Sequence, residues 1–127
     1  MRSTFGLQSV LLLNAASCIG FGLLFISLPA PTAMFLANEK TAPVWFIVVL
    51  GAGLIANGVG LAVTARQQAP QAGLVRFFSI GDLLWVVATL LLIATGWWIN
   101  TSAGISAALL VAALVGCMGW LQWRNAG

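Results

Sequence analysis

Four long apolar stretches, separated by short polar ones, dominate the pattern of hydrophobic and polar positions along this chain. They cover residues 7–28, 43–65, 74–98 and 103–123. Each exceeds the roughly 18–20 residues that an α-helix needs to cross about 30 Å of hydrocarbon. The pattern therefore predicts an all-α integral membrane protein, an up-down four-helix transmembrane bundle in which residues 1–127 form a single transmembrane domain.

The first apolar stretch allows two interpretations. Arg2 before it and the small residues at 30–33 after it are also typical of a cleavable signal peptide. The stretch is long enough to span the bilayer, however, and it contains the polar residues Asn14 and Ser17. These features favour a retained membrane span.

Two prolines mark the end of this first predicted helix. Pro29 and Pro31 follow the apolar stretch directly. Proline has no amide hydrogen and its ring clashes with the preceding helical turn, so the helix should stop there. Residues 31–37 are predicted to form a short turn of helix at the membrane interface, and Pro43 then stands at the start of the second span.

Composition narrows the class of protein further. Of the 127 residues, 61% are hydrophobic and 6% are charged, whereas a soluble domain carries roughly 25% charged residues. The net charge of +3 comes from few basic residues scattered between the apolar stretches. Such residues are orientation signals for membrane spans rather than a nucleic-acid site. The predicted environment is a lipid bilayer, and no nucleic-acid partner is expected.

The basic residues predict an orientation. If the four spans alternate in direction, Arg2, Arg66, Arg76 and Arg124 all belong to one side of the membrane and Lys40 to the other. Basic residues accumulate on the cytoplasmic side of membrane proteins. The sequence therefore predicts that both termini are cytoplasmic, in a multi-pass protein of the bacterial cytoplasmic (inner) membrane.

Asp82 is one of two acidic residues in the chain, and it lies inside the third apolar stretch. A charged side chain at the bilayer centre costs roughly 2.5–3.5 kcal/mol, so Asp82 should face the bundle interior. At about 1.5 Å per residue, Asn14, Asn57, Cys117 and Asp82 all lie about 9–13 Å from the cytoplasmic ends of their spans. Each span thus offers one polar or polarizable side chain at a similar depth. The predicted polar cluster, for binding or for structure, comprises Asp82, Asn14, Asn57, Ser17, Ser79 and Trp85.

Three roles for Asp82 are compatible with this pattern. It is a structural connection between helices, made with the two asparagines, or it belongs to a proton-coupled or cation-binding site, as intramembrane acids often do. A third alternative is an ion pair with Arg76 at the membrane interface. The sequence leaves these alternatives open.

Small residues form stripes on two of the predicted spans. Such stripes let helices approach closely in lipid, where association depends on packing rather than on the hydrophobic effect. The residues predicted to pack helices together are Gly53, Gly60, Ala108, Ala112 and Gly116.

Several kinds of site have no support in the sequence. The chain contains no histidine, and its two cysteines, Cys18 and Cys117, form no close pair. The usual haem ligation, a zinc site and a disulfide framework are therefore not expected. No phosphate-binding loop or common catalytic motif is present either. We predict no catalytic residues, no metal and no cofactor.

Several short motifs are spread along nearly the whole chain: Asn14-x-x-Ser17, Gly20-x-Gly22-Leu-Leu24, Asp82-Leu-Leu-Trp85-Val86 and Leu121-Gln122-Trp123. Together they resemble a group of small uncharacterised bacterial four-helix membrane proteins that are loosely DoxX-like. The resemblance rests mostly on hydropathy and spacing. It implies the four-helix fold, and the wider group is associated with quinone-linked sulfur and thiol oxidation, usually as small partner subunits. The chain lacks the arginine and lysine that DoxX proteins carry near their first span, so the fold is carried over and the activity is not.

Taken together, these features predict a non-catalytic accessory or structural subunit that packs against itself or against a larger membrane complex. An alternative is a small transporter or channel that works as a homo-oligomer through Asn14, Asn57 and Asp82. A third is a quinone-linked redox subunit, as the DoxX-like resemblance implies.

Overall fold

A computed structural model of the chain describes residues 4–67 and 72–125, and within them the chain forms five helices. Their bounds are α1 Thr4–Ser27, α2 Pro29–Leu36, α3 Val44–Ala65, α4 Ala72–Thr95 and α5 Ser102–Asn125. α1, α3, α4 and α5 are each long and apolar enough to cross a membrane. The predictions of an all-helical chain and of four helices of membrane-spanning length are confirmed. Arg2 and residues 68–71 of the polar connection lie outside the described residues.

Most of the surface of the long helices faces outward. In the apolar window of each long helix, only 17–22% of the residues are buried inside the protein. Large apolar side chains such as Leu13, Leu84 and Leu110 are more than half exposed. A soluble protein rarely exposes a continuous apolar surface of this extent. The helices therefore suit a lipid bilayer, as the composition indicates.

The connection between α1 and α3 contains a helix of its own. Leu28 leaves the helical conformation, with φ −132° and ψ 57°, and Pro29 then begins α2. Proline suits the first turn of a helix, where its missing amide hydrogen leaves no bond unmade. The prediction of a short turn over residues 31–37 was therefore wrong in extent, since α2 begins at Pro29 and ends at Leu36.

α4 ends earlier than the sequence indicates. The predicted third span runs from 74 to 98, but α4 ends at Thr95. Gly96 and Trp98 adopt left-handed backbone conformations, with φ of 72° and 65°, and this conformation is incompatible with a right-handed helix. Trp97 and Trp98 therefore belong to the connection, where Lys40 Nζ lies 5.1 Å from the centroid of the Trp97 ring.

The α4–α5 connection is bonded to the α2–α3 connection. Asn100 Nδ2 donates hydrogen bonds to the carbonyls of Glu39 (2.6 Å) and Gly96 (3.0 Å), and its Oδ1 accepts one from the Asn38 amide (2.9 Å). Thr101 Oγ1 accepts a hydrogen bond from the Gly104 amide (2.9 Å), which caps the start of α5. These bonds hold the two connections at the same end of the protein.

The long helices associate as two pairs. α1 packs mainly along α3, and α4 packs mainly along α5, while contacts between α1 and α5 join the pairs and α3 barely touches α4. One cluster of buried apolar side chains lies where α1, α3 and α4 converge: Leu7, Leu11, Ala15, Cys18, Leu61, Ala65, Val75 and Phe78. A smaller cluster lies at the other end and consists of Ala33, Ala42 and Ile47. The limited contact between α3 and α4 leaves space between the pairs.

Glycines bring α1 and α3 into close contact. A Cβ atom placed on Gly22 would lie 2.6 Å from the carbonyl oxygen of Gly51, and one on Gly58 would lie 2.9 Å from that of Ala15. Real Cβ atoms do not approach a backbone oxygen so closely. The absence of side chains at Gly22, Gly51 and Gly58 therefore sets the distance between the two helices.

Candidate functional site

Asn14, Asp82 and Gln122 form a hydrogen-bonded triad that joins α1, α4 and α5. Asn14 Nδ2 donates to Asp82 Oδ2 (2.9 Å) and to Gln122 Oε1 (2.7 Å), and Gln122 Nε2 donates to the same Asp82 oxygen (3.3 Å). All three side chains are buried, with exposures of 1%, 5% and 0%. Each residue comes from a different helix, so the triad connects the α1–α3 pair to the α4–α5 pair.

Weaker contacts extend the triad in two directions. Toward α4, Gln122 Nε2 lies 3.5 Å from Ser79 Oγ, which itself donates to the Val75 carbonyl (3.1 Å). Toward α3, Cys18 Sγ lies 3.6 Å from Asn14 Oδ1, and Asn57 Nδ2 lies 3.4 Å from the same sulfur. The polar side chains thus form one chain of contacts from α3 to α5.

The spacing of these residues along each helix puts them on the face that contacts the triad. Ser79 and Asp82 are three residues apart on α4, as are Gly119 and Gln122 on α5, so each pair shares a helix face. Gly119 lies directly against the carboxylate, because a Cβ atom there would come within 2.9 Å of Asp82 Cβ. A larger residue at position 119 would push α5 away from Asp82.

The six residues of the predicted polar cluster differ in burial and in whether they join the chain of contacts. Asp82, Asn14 and Ser79 are buried in the chain of contacts, and Asn57 is half-buried and reaches it through Cys18. Ser17 and Trp85 are half-buried and line an adjacent cavity. Of the other five residues of the predicted polar cluster, only Asn14 donates a hydrogen bond to Asp82; its second donor is Gln122.

Sequence reasoning missed Gln122 and expected Cys117 in its place. Cys117 is exposed, and it therefore does not supply the polar side chain of α5. Gln122 is a polar residue near the end of an apolar stretch, and it follows Gly119 by three positions. This combination of a polar residue and a glycine on one helix face was the signal available in the sequence.

The ion pair between Asp82 and Arg76 is not formed. The Arg76 guanidinium instead lies over the Trp123 ring, 5.2 Å from its centroid, which is the geometry of a cation–π contact. Asp82 bonds to the two amide side chains of the triad. Among the described residues no cationic side chain faces the carboxylate.

The residues predicted to pack helices together also differ in position. Ala112 is buried and Ala108 is half-buried. A Cβ atom on Gly60 would lie 3.0 Å from Phe78 Cζ, whereas one on Gly116 would make an ordinary contact of 3.5 Å with Val86 Cγ2. Gly53 is exposed, and a Cβ atom there would meet nothing within 4 Å. The close approach between α1 and α3 uses Gly22, Gly51 and Gly58 instead.

Two cavities lie in the space between the helix pairs, and the smaller one borders the triad. The smaller has a volume of about 170 Å³, and its wall includes Asn14, Asn57 and Asp82. The larger has a volume of about 620 Å³ and an almost entirely apolar wall drawn from all five helices. Residues that line both are Phe21, Trp85 and Val111. The cavities are therefore neighbours that meet at these three side chains.

Comparison with protein-family models, with curated proteins and with solved structures found no match to this chain. The resemblance to DoxX-like proteins, and the quinone-linked role that it implies, therefore stay predictions. Within the described residues, no group of three histidine, cysteine or acidic side chains could hold a metal ion.

Proposed function

We propose that this chain is a small, non-catalytic integral membrane protein that serves as an accessory subunit, packing against a second copy or a larger membrane complex. The observation that carries the proposal is the triad. Asn14, Asp82 and Gln122 direct their hydrogen bonds at one another and link three helices. This arrangement suits a connection that holds a thin bundle together.

The outer surface supports the partner part of the proposal. Gly20 and Gly53 are exposed, and a Cβ atom on either would meet nothing within 4 Å. Both lie at a similar height along the α1–α3 pair, between the close contacts made by Gly22 and Gly58. Small residues facing lipid allow another membrane helix to approach closely. Gly20 and Gly53 are each two residues, or about 200° of helical rotation, from the glycines at 22 and 51 that face each other, so they lie on opposite outer sides of the pair. We propose the side of α3 that carries Gly53 as the surface that packs against the partner.

Native purification in a mild detergent, followed by mass spectrometry of the intact assembly, tests this function. We expect a stoichiometric complex, with either a second copy or a larger partner. Gly53→Leu should dissociate it, because the new side chain occupies the space of the approaching helix. Ala52→Leu, at the neighbouring exposed position, is the matched control. Recovery of the wild-type chain only as a monomer would contradict the proposal.

We also propose that the four long helices cross the membrane in alternating directions, with both termini in the cytoplasm. Gln8 Nε2 donates to the Ala65 carbonyl (2.6 Å), and Arg76 contacts Trp123, so the start of α1, the end of α3, the start of α4 and the end of α5 lie at one end. Arg66, Arg76 and Arg124 are near this end and Lys40 is at the other. The positive-inside rule assigns the arginine-rich end to the cytoplasm.

Reporter fusions test this orientation. A cytoplasm-restricted reporter should be active when it is fused after Gly127, and a periplasm-restricted reporter should be active when it is inserted after Lys40. The reciprocal fusions, which serve as controls, should both be inactive. Activity of the periplasmic reporter after Gly127 would refute the proposed topology.

A second candidate function is a small transporter or channel that works as an oligomer through Asn14, Asn57 and Asp82. The cavity of about 170 Å³ that these three residues help to line favours it. A purely structural connection does not require an open space beside the carboxylate.

A further inference from the structure

The two cavities are neighbours, and both are partly open to the outer surface, where their walls include exposed residues such as Leu114 and Phe35. Together they form an amphipathic space whose walls belong to a single copy of the chain. The larger one is lined by apolar side chains from all five helices, and the smaller one ends at Asp82 and Asn57. Trp85 and Phe21 stand where they meet and present aromatic side chains to both. A ligand occupying both cavities would place an apolar body in the larger one and a polar or charged group beside Asp82.

Asp82 has one carboxylate oxygen free for such a group. Both amide donors of the triad bond to Oδ2, and no hydrogen bond from another described residue reaches Oδ1. The side chain is only 5% exposed, yet it forms part of the wall of the smaller cavity. A buried carboxylate is stable when it is paired or fully hydrogen-bonded. Here the amides satisfy one oxygen, and no cationic side chain of the described residues supplies a counter-charge.

We propose that the combined cavity binds a lipophilic organic cation, whose positive group lies beside Asp82 Oδ1 and whose apolar parts fill the larger cavity. The chemistry of the wall selects this class. The carboxylate favours positive charge, and the aromatic rings of Trp85 and Phe21 attract cations through their faces. The inference goes beyond the accessory role, and it does not depend on a partner because every wall residue belongs to one copy.

Other ligand classes fit the wall less well. A hard inorganic cation such as Ca²⁺ takes six to eight oxygen ligands, whereas the space beside Asp82 is bounded by apolar residues such as Leu54, Leu114 and Val115. A neutral apolar molecule would fill the larger cavity but would leave the carboxylate without a counter-charge. An anion would be repelled by Asp82. A neutral amphiphile could donate a hydrogen bond to Asp82 Oδ1, but only a cation also supplies the counter-charge.

Binding of labelled dodecyltrimethylammonium, which has a cationic group at one end and an apolar chain at the other, tests the proposal on the full chain in a neutral detergent, with empty micelles as blank. We expect saturable binding to the wild type. Asp82→Asn keeps an oxygen for the two amide donors but removes the charge, so its affinity should fall about tenfold or more. Glu39→Gln removes the only other acidic charge, on an exposed connection, and should bind like the wild type.

Two further measurements separate charge recognition from other effects. 2,2-Dimethyltetradecane, the neutral carbon isostere of the cation, should bind more weakly than the cation and should not respond to Asp82→Asn. Gly81→Leu adds a side chain to the wall of the smaller cavity, where a Cβ atom would meet nothing within 4 Å, so it should weaken cation binding and leave the fold intact. If Asp82→Asn fails to fold, the affinity of Gly81→Leu for the cation still tests the proposed site.

The proposal is overturned if the wild type does not bind the cation. It is also overturned if Asp82→Asn binds as tightly as Glu39→Gln, or if the neutral molecule binds as tightly as the cation. Unchanged binding in Gly81→Leu would overturn the location of the site. None of these results bears on the accessory role, which native mass spectrometry tests separately.

Discussion

Gly22→Ala should lower the free energy of unfolding by about 1–3 kcal/mol, although it adds a single methyl group. The new Cβ atom would lie 2.6 Å from the Gly51 carbonyl oxygen and 3.1 Å from the Ile55 amide nitrogen. Both atoms belong to the backbone of α3, so no side-chain rotation can relieve the clash and the helices must separate. Reversible unfolding in mixed micelles with dodecyl sulfate measures the change.

Gly20→Ala is the matched control for this substitution. Gly20 lies on the same helix, two residues earlier, and a Cβ atom there would meet nothing within 4 Å. Both variants gain the intrinsic preference of alanine over glycine in a helix, worth up to about 1 kcal/mol. We therefore expect Gly20→Ala to be neutral or stabilising. Equal stability of the two variants would contradict the close contact between α1 and α3.

Asp82→Leu should be the most damaging single change in the polar triad. It removes the oxygen that accepts hydrogen bonds from Asn14 and Gln122 and leaves two buried amide groups short of an acceptor. An unsatisfied buried polar group costs about 1–3 kcal/mol. We expect a loss of unfolding free energy in this range, measured in the same micelles.

Asp82→Asn provides the conservative comparison. An asparagine at this position can turn its carbonyl oxygen toward the two donors, so the hydrogen bonds of the triad survive. We expect a loss below about 1 kcal/mol, since the net value of one hydrogen bond is about that size. A loss as large as that of Asp82→Leu would mean that the charge, and not the hydrogen bonding, stabilises the bundle.

Much of the fold could be predicted because it follows from length and hydropathy. An apolar stretch of span length can satisfy its backbone in lipid only by forming a helix. The end of α1 was also predicted correctly from the prolines at 29 and 31, because proline lacks the amide hydrogen that a continuing helix needs. The depth argument also put Asn14 and Asp82 at one level, and these residues do share a hydrogen bond.

The faces of the helices could not be predicted in the same way. In a soluble helix, polar positions mark the outer face, but a helix in lipid is apolar on both its inner and outer faces. Depth favoured Cys117, seven residues before Arg124, over Gln122, only two residues before it, but the structure buries Gln122 and exposes Cys117. Likewise, the choice of Gly22 and Gly51 over Gly53 depends on the rotation of α3 about its axis, which hydropathy does not encode.

The end of α4 could not be predicted from hydropathy, for a different reason. Trp97 and Trp98 continue the apolar stretch, so hydropathy extends the span to residue 98. The helix stops at Thr95 because Gly96 and Trp98 take left-handed conformations, and the Trp98 amide bonds to the Lys40 carbonyl (3.0 Å). This bond joins residues distant in sequence. The pattern of hydrophobic and polar residues around Trp98 does not indicate such a contact.

A double-mutant cycle between Asn14 and Asp82 tests the central claim most directly, namely that the triad holds the two helix pairs together. Asn14→Ala, Asp82→Ala and the double variant would be unfolded in mixed micelles, with an Asn14–Thr95 cycle as a control, since Thr95 bonds within its own helix. We predict a coupling of about 0.6–1.7 kcal/mol for the first pair, from the average to the largest value found for hydrogen bonds between membrane helices. Effects that add to within about 0.3–0.5 kcal/mol, as for distant sites, would contradict the claim.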